Sequence, residues 1–362
     1  MTDPTPRVSV VMAAYNGARH LRAAVDSILA QSLRDLELIV VDDASTDETT
    51  QILARFAKDD PRVRMVRNET NLGPFGSGNR GLGLARAPII ARMDADDLSH
   101  PARLERQVRF LETHPDHILV GNSFRAIDDA GHTQYVKVKP TDAFGVRWIM
   151  RFRCTIEHPG AAFRARMPDG SPVRYDETAP IAQDFELFAR LTEVGKAAIL
   201  PEVLFSYRTH ASNISTTRKT EQRRITRAIA RSVQVRDLPE DLHGRLDGVL
   251  DCYLLQERAT ARAVRDGVQA FDAMLAYDLS HHPDKRRWLM RQSAAILAEA
   301  FLRRGGGFRD PAVLAAFAFH ARHYLGPLGL RQLEDTGRLP DRMSSLPTVE
   351  APAEEPLAMG RM

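Results

Sequence analysis

Three acidic residues stand together where an apolar run ends: Asp94, Asp96 and Asp97 follow the stretch Pro88–Met93. Carboxylate oxygens are the hard ligands that Mg²⁺ and Mn²⁺ prefer, and Mg²⁺ is typically held by one or two carboxylates together with substrate phosphates. A solvated acidic turn that caps the next helix has the same appearance. The choice between the two depends on which other side chains share the site.

Two further polar clusters follow earlier apolar runs. Asp42 and Asp43 are adjacent carboxylates that repel each other unless one has a partner, and the N–H on the edge of a nucleobase is a suitable partner for Asp43. For Asp47, the capping of the next helix is the better interpretation. Ala14 leads into Tyr15 and Asn16, where an aromatic ring can stack on a base while nearby backbone groups bond its edge. A half-buried packing tyrosine is the alternative.

The elements that carry these clusters alternate in type. The sequence predicts four strands and three intervening helices over the first hundred residues: strands Val8–Val11, Leu36–Val41, Val63–Val66 and Ile89–Met93, and helices Ala18–Gln31, Thr49–Lys58 and Phe75–Ala85. This alternation predicts βαβ units in a mostly parallel sheet. Ligands of such sheets sit beyond the carboxyl ends of the strands, so all three clusters are predicted at one rim. That convergence favours the metal site.

The later chain divides into two patterns. A helix is predicted from Pro101 to His114, with strands near 118–127 and 134–138, a helix at Ile181–Val194 and a last strand at Val203–Tyr207. Helical periodicity dominates beyond about Thr216, and it predicts helices at Thr220–Val235, Leu238–Arg265, Val268–Tyr277, Arg286–Arg304 and Pro311–Tyr324. We therefore predict a catalytic domain over residues 1–215, a helical region over 216–338 and a disordered tail over 339–362, which is rich in Pro, Ala and Glu.

Composition limits the classes of partner and compartment. The net charge of +3 gives no concentrated basic stripe, so nucleic acid is excluded as the main partner. Basic clusters in the C-terminal half indicate solvated helix faces, with attraction to anionic lipid as the alternative. The two cysteines lack metal-ligand spacing, and the sequence shows neither a signal-peptide pattern nor an apolar run long enough to span a bilayer. We therefore predict a cytoplasmic protein, with the inner face of the membrane as the alternative place of action.

The clusters, taken in order, resemble the family 2 glycosyltransferases of the GT-A fold. The similarity begins at PRVSVVMAAYNGARHLRAAVDSILAQSLRDLELIVVDDASTDET and continues through Asn71-Leu72-Gly73, Asn79-x-Gly81 and MDADDLSHPARL. It thins to HPGAAFR, AQDFELFARL and YRTH, and it covers about Arg7 to Ser215. The resemblance implies a Rossmann-like, mostly parallel α/β sheet flanked by helices, followed here by the helical region.

The resemblance also implies a nucleotide-sugar site. Ala14, Tyr15, Asn16, Asp43, Asn79 and Asp94 would bind the donor, with Tyr15 on the base and Asp43 on its ring N–H. Asp96 would bind Mn²⁺ or Mg²⁺, with Asp94 and His210 as further candidates. Asp184 would be the catalytic base, although an acid this early in a helix also suits the helix dipole. Direct attack by the acceptor hydroxyl would invert the anomeric centre.

Two positions depart from the family pattern. A basic residue often precedes the asparagine at position 79, where this chain has Gly78, and the glutamate of the Glu-Asp motif is Gln183. These departures are what a non-catalytic nucleotide-sugar-binding or scaffold protein would show, and retention of the four aspartates at 43, 94, 96 and 184 argues against that alternative. A nucleotidyltransferase would need a basic, glycine-rich phosphate loop after the first strand, which is missing.

The donor is expected to be a nucleotide-diphosphate sugar, most simply a UDP-sugar. The acceptor is left open among a saccharide, a lipid-linked sugar and a protein. The helical region is a candidate for contacts with the acceptor, with a membrane surface or with a second copy of the chain.

Overall fold

The computed structural model describes residues 5–139, 142–178, 181–209, 219–254 and 261–302. The strands are β1 Val8–Ala14, β2 Leu36–Asp42, β3 Val63–Arg67, β4 Ile89–Asp94, β5 Leu98–Ser99, β6 His117–Ile127, β7 Thr133–Lys137, β8 Ala162–Arg164 and β9 Lys196–Arg208. The helices are α1 Ala18–Leu29, α2 Thr49–Asp59, α3 Gly73–Leu84, α4 Arg103–Thr113, α5 Ala143–Met150, α6 Gln183–Val194, α7 Lys219–Asp237, α8 Glu240–His243, α9 Leu246–Leu254, α10 Ala261–His281 and α11 Arg286–Leu302.

The nine strands form one sheet in the order β3-β2-β1-β4-β8-β6-β9-β5, with β7 paired to β6. The first four strands of this order are parallel, as the βαβ pattern predicts. The short strand β8 then pairs antiparallel with both β4 and β6, and β9 pairs parallel with β6. The predicted mixed α/β class with a mostly parallel sheet is confirmed.

The core lies between the parallel strands and the helices that cross over them. Buried residues of β1, β2 and β4 pack with one face of α1, where the apolar side chains recur at helical spacing (Leu21, Ala24, Val25 and Ile28). Leu104, Val108 and Leu111 of α4 complete the same cluster. This packing fixes the ends of the strands, and therefore the loops that follow them.

Several boundaries differ from the predictions. Strand β9 begins at Lys196 rather than Val203, because its pairing with β6 passes through a register shift around Pro201, which has no N–H to donate to a ladder. Helix α5 and strand β8 were not predicted. The single helix predicted over Leu238–Arg265 is replaced by the shorter α8 and α9 before α10 begins.

The chain divides into two compact units, residues 1–244 and 245–362. Helix α7, which the sequence pattern groups with the later helices, lies in the first unit. In the second unit α9 and α10 approach closely at two glycines, since a Cβ built on Gly248 would lie 3.3 Å from the Cα of Gly267. The helix predicted at Pro311–Tyr324 and the tail 339–362 lie outside the described residues.

None of the described helices combines the length and the apolar character needed to cross a bilayer.

Candidate active site

The carboxyl ends of β1, β2 and β4 meet at one rim of the sheet. In the paired register Ala14 lies beside Asp42, and Ala13 lies beside Asp94. The main-chain N–H of Asp43 also donates to the carbonyl oxygen of Ala14 at 2.8 Å. The predicted convergence of the three polar clusters is confirmed.

The backbone is strained beside several of the predicted site residues. Among the described residues, three non-glycine residues have a positive φ: Asn16 at 47°, Ala44 at 61° and Ala182 at 58°. Asn16 directly follows Tyr15, and Ala44 directly follows Asp43. Ala182 lies two positions before Asp184. Left-handed conformations of this kind cost free energy and concentrate at functional sites. The strain therefore coincides with the predicted donor and base positions.

The loop after β1 is locked to the loop after β2. Asn16 Oδ1 accepts from the N–H of Thr46 at 2.8 Å, and the N–H of Asn16 donates to Ser45 Oγ at 3.0 Å. Asp47 accepts from Ala18 N at the start of α1 and from Thr49 N at the start of α2. These bonds use the Asn16 amide oxygen within the protein, while the Tyr15 side chain remains 54% exposed.

Asp43 is buried, and one of its oxygens is held by the protein. Asp43 Oδ1 accepts from Asn68 Nδ2 and from the N–H of Leu72, both at 2.7 Å. Asn68 also donates to Ser77 Oγ and accepts from Arg80. Asn68 is not among the predicted site residues, although it directly follows β3 and therefore lies at the same rim.

The neighbouring Asp42 is used within the loop. Its Oδ1 accepts from the N–H of Ser45 at 3.0 Å, and its Oδ2 accepts from Thr50 Oγ1 at 2.6 Å. Asp42 is fully buried. The two adjacent carboxylates thus have different environments, with Asp42 bonded on both oxygens.

Negative charge accumulates at the end of β4. The pKa of Asp94 is raised to about 6, chiefly by burial; Arg92 opposes this rise, and the carboxylates of Asp96 and Asp184 contribute to it. Burial likewise raises the pKa of Asp97 well above its ordinary value, while the N–H of Arg208 donates to Asp97 Oδ1 at 2.7 Å. Arg208 also donates from Nε to the main-chain oxygen of Asp96 at 2.8 Å and so anchors this acidic loop.

The donor atoms at this loop fit a hard divalent cation. No group of three or more His, Cys, Asp or Glu side chains in the described ranges forms a complete metal site. Mg²⁺ needs no such group, because one or two carboxylates suffice when substrate phosphates supply the other ligands. Asp94 and Asp96 offer those carboxylates, and a cation would relieve the repulsion that raises the pKa of Asp94. His210 lies outside the described residues.

Asp184 lies in the first turn of α6, after the strained Ala182. Burial raises the pKa of its carboxyl group and the charge of Glu157 adds to this, while the N–H groups of Phe185 and of Asp184 itself oppose it. A raised pKa makes a carboxylate a better proton acceptor near neutral pH. Asp184 and Asp96 both contribute to the pKa of Asp94, so the three carboxylates share one electrostatic environment.

The side chain of Asn79, which is predicted to bind the donor, is hydrogen-bonded within the protein. Its Nδ2 donates to the carbonyl oxygen of Tyr175 at 3.0 Å and to Glu177 Oε1 at 2.8 Å, and its Oδ1 accepts from the N–H of Tyr175 at 2.8 Å. The buried amide is thus used to hold the segment that carries Tyr175. The unusual Gly78 has a matching explanation, since a Cβ there would lie 3.0 Å from the Tyr175 ring.

The model of glycosyl transferase family 2 matches residues 9–167 of this chain. An uncharacterized glycosyltransferase of Haemophilus influenzae is 32% identical over 235 residues, which cover 62% of this chain and 72% of that protein. The succinoglycan biosynthesis protein ExoO of Rhizobium meliloti is 31% identical over 223 residues, covering 59% of this chain and 64% of ExoO.

Solved structures with the same architecture include S. aureus TarS. The complex of TarS with UDP matches this chain with a TM-score of 0.51 and 15% sequence identity, and the match covers 92% of each chain. Its complex with UDP-GlcNAc has a TM-score of 0.53 at 16% identity over the same coverage. At this level of identity the similarity establishes the fold, which is GT-A.

Proposed function

This chain belongs to glycosyltransferase family 2, and from that membership we propose that it transfers a sugar from a nucleotide diphosphate to an acceptor hydroxyl with inversion at the anomeric carbon. The observation that carries the proposal is the convergence of the β1, β2 and β4 termini, which brings the predicted donor residues to one rim. A rim of this kind is where open α/β sheets bind their ligands.

The donor side of the proposal begins with the base. The half-exposed Tyr15 ring is available to stack on a nucleobase, beside the buried carboxylate of Asp43 as acceptor for a ring N–H. The bonds from Asn68 and Leu72 fix the orientation of that carboxylate. A UDP-sugar is the donor we favour, and the UDP-GlcNAc complex of TarS, which has the same fold, supports this choice.

Asp96 would hold a Mn²⁺ or Mg²⁺ ion, with Asp94 beside it. When bound, the cation supplies Lewis-acid stabilisation of the negative charge on the departing nucleoside diphosphate. The chain contributes the carboxylates, and Arg208 fixes the main chain of the loop that carries them.

Asp184 would take the proton of the acceptor hydroxyl as the glycosidic bond forms. Its raised pKa and its place at the start of α6 support this role. A single attack opposite the leaving group inverts the anomeric centre, so an α-linked donor gives a β-linked product. The relationship to ExoO, a succinoglycan biosynthesis protein, favours polysaccharide or glycoconjugate synthesis as the setting.

Nucleotide release tests the proposal directly. The protein is incubated with UDP-, GDP- and dTDP-sugars in the presence of Mn²⁺, and the variants Asp96→Ala and Asp184→Asn are compared with the wild type. We expect Asp96→Ala to lose metal-dependent donor binding and turnover. Asp184→Asn should keep donor binding and lose at least about 10²-fold in turnover, the usual contribution of a general base.

Asp35 gives a matched control for the loss of one carboxylate. It is exposed and precedes β2, so it lies at the end of the strands opposite the rim. Asp35→Asn should behave as the wild type. Wild-type protein that releases no nucleotide from any donor would contradict the proposed activity, and an Asp184→Asn variant of normal rate would contradict the assignment of the base.

A further inference from the structure

A chain of buried hydrogen bonds begins at Arg92 on β4, two residues before Asp94 at the acidic rim. Arg92 is fully buried in β4, and its Nη1 donates to the carbonyl oxygen of Val11 at 2.9 Å. Its Nε donates to His158 Nε2 at 3.2 Å. The same His158 nitrogen lies 2.7 Å from the hydroxyl oxygen of Tyr175. We call this group the buried bridge; it consists of Arg92, His158 and Tyr175.

The direction of these bonds follows from the charge of the histidine. Burial is the main reason that the pKa of His158 lies well below its ordinary value, and the positive charge of Arg92 lowers it further. The ring is therefore neutral. Because Arg92 Nε can only donate, His158 Nε2 is the acceptor, and the Tyr175 hydroxyl must also donate to it. Each bond of the bridge therefore has one defined direction.

The bridge lies between the two elements that carry the proposed chemistry. Arg92 and Asp94 are two residues apart on β4, so their side chains project from the same face of the sheet. On the other side, the His158 ring packs on Phe188 with 6.3 Å between ring centroids. Phe188 is one helical turn after Asp184 and shares its face of α6. The bridge thus connects the strand of Asp94 with the helix of Asp184.

Helix α3 prevents the bridge from moving aside. Asn79 bonds both the N–H and the carbonyl oxygen of Tyr175. Phe75 packs on the Tyr175 ring at 5.2 Å and on the His158 ring at 5.6 Å between centroids. Gly78 leaves room for the Tyr175 ring, which a side chain at that position would crowd. The departure from the family pattern at position 78 is therefore explained by the bridge.

We propose that the buried bridge is a positioning element that fixes the separation between the carboxylates of Asp94 and Asp184. The inference rests on the proposed function, because it takes Asp94 as a donor-side group and Asp184 as the base. In-line attack requires the attacking and leaving oxygens to be held on opposite sides of the anomeric carbon. A misplacement of about 1 Å is enough to cost about 10²-fold in rate.

The test measures nucleotide release from the donor that the wild-type protein turns over. Rates are divided by the number of sites that bind the matching nucleoside diphosphate with Mn²⁺, counted by titration calorimetry, so that loss of folded protein does not enter. Tyr175→Phe removes only the hydroxyl, and His158→Leu removes the acceptor. We expect both to lower kcat per binding site by about 10- to 100-fold, with donor KM changed less than about 3-fold.

Two further variants separate positioning from packing. His158→Gln places an amide oxygen near the position of Nε2, and it should recover most of the rate that His158→Leu loses. Phe75→Leu weakens the ring packing on both members of the bridge without touching its hydrogen bonds. It should lower the melting temperature and reduce kcat per binding site by less than Tyr175→Phe does, because every hydrogen bond of the bridge stays in place.

Tyr175→Phe decides the matter even if His158→Leu fails to fold, because it keeps the ring in place. Normal kcat per binding site in Tyr175→Phe would overturn the positioning role. Equal losses in His158→Gln and His158→Leu would overturn it as well, since restoring the acceptor would then have no effect. Absence of turnover in the wild type would overturn the proposed function, and this inference with it.

Discussion

At the scale of single residues, the site brings the carboxylates of Asp94, Asp96 and Asp184 into one electrostatic environment. Burial and the carboxylates of Asp96 and Asp184 together raise the pKa of Asp94 to about 6, although Arg92 lowers it. Burial of the ionised form of Asp184 is unfavourable in the same way. Such a site costs free energy in the absence of ligand, and the proposed cation would offset part of that cost.

Replacement of Asp184 by asparagine should therefore stabilise the protein while it removes activity. The folded pKa of Asp184 lies above the ordinary value of 3.8, so the folded protein binds the proton more tightly than the unfolded chain. Stability is then lost as the pH rises from the unfolded pKa through the folded one. We expect Asp184→Asn to melt at a higher temperature than the wild type at pH 7, with the gain vanishing below pH 3.8.

The same shift predicts the pH dependence of the rate. A general base acts only when deprotonated, so the acidic limb of the kcat profile should lie above the range of an ordinary aspartate. Calorimetry of both proteins across this pH range, together with the rate profile, checks the assignment. A stability gain that persists unchanged at pH 3 would show that the ionisation of Asp184 is not its source.

The residues that sequence could identify are those with chemistry in their own side chains. Tyr15, Asp43, Asp96 and Asp184 stand in recognisable motifs at predicted strand ends or helix starts. Asn68, Arg92 and Tyr175 were missed because their roles arise only from partners distant in sequence, such as His158 for Arg92. The donor role of Asn79 stays a prediction from motif spacing, and the bond from its amide to the Tyr175 carbonyl is not visible in that spacing.

At the scale of elements, α3 is unusual because it contains five glycines and still forms a helix. Glycine is a poor helix former, so tertiary packing must compensate. Gly81 shows how: a Cβ there would lie 2.5 Å from Val11 Cγ1 on β1 and 3.5 Å from Val41 Cγ2 on β2. The helix lies directly on the strands that lead to the rim.

Alanine substitutions along α3 should consequently have opposite effects. Gly81→Ala overpacks the contact with β1 and should reduce the free energy of unfolding by about 1–3 kcal/mol. Gly83 is exposed, and its nearest neighbour is the flexible end of Arg174 at 3.7 Å, so Gly83→Ala should gain up to about 1 kcal/mol from helix propensity. Urea unfolding of both variants provides the measurement, and equal effects at the two positions would contradict the packing account.

The elements that sequence predicted well are those in which local pattern and tertiary position agree. β1, β2, β3 and β4 and the helices between them were each placed within about two residues at most ends. Strand β8 has only three residues, too few to show an alternation of apolar and polar side chains. It forms because it pairs with both β4 and β6. Helix α5 was not predicted, although its sequence contains a capping residue. Asp142 caps the helix, because Asp142 Oδ1 accepts from the N–H of Gly145 at 2.9 Å.

At the scale of the whole molecule, the predicted boundary at residue 215 followed the change from mixed to helical periodicity. Periodicity reports the type of an element and not the surface on which it packs. Asp237, at the end of α7, accepts from Arg147 Nη2 at 2.6 Å and from Arg151 Nε at 3.2 Å, and both arginines lie at α5. Arg236 pairs with Glu193 of α6, and Gln234 Nε2 donates to the carbonyl oxygen of Arg151 at 2.9 Å.

A chain truncated after Gly244 should therefore unfold cooperatively, whereas one truncated after Ser215 should not. The shorter chain loses α7, which exposes the apolar surface that Ala230 and Val233 cover and leaves the arginines at 147 and 151 without Asp237. A charge pair broken in a mostly buried setting costs about 3–5 kcal/mol, a large part of the stability of an ordinary domain. Asp237→Ala in the longer chain isolates that electrostatic part, and Asp241→Ala, at an exposed position in α8, serves as its control. Thermal unfolding followed by circular dichroism distinguishes the cases, and equal midpoints for the two truncated chains would show that the catalytic unit ends before α7 after all.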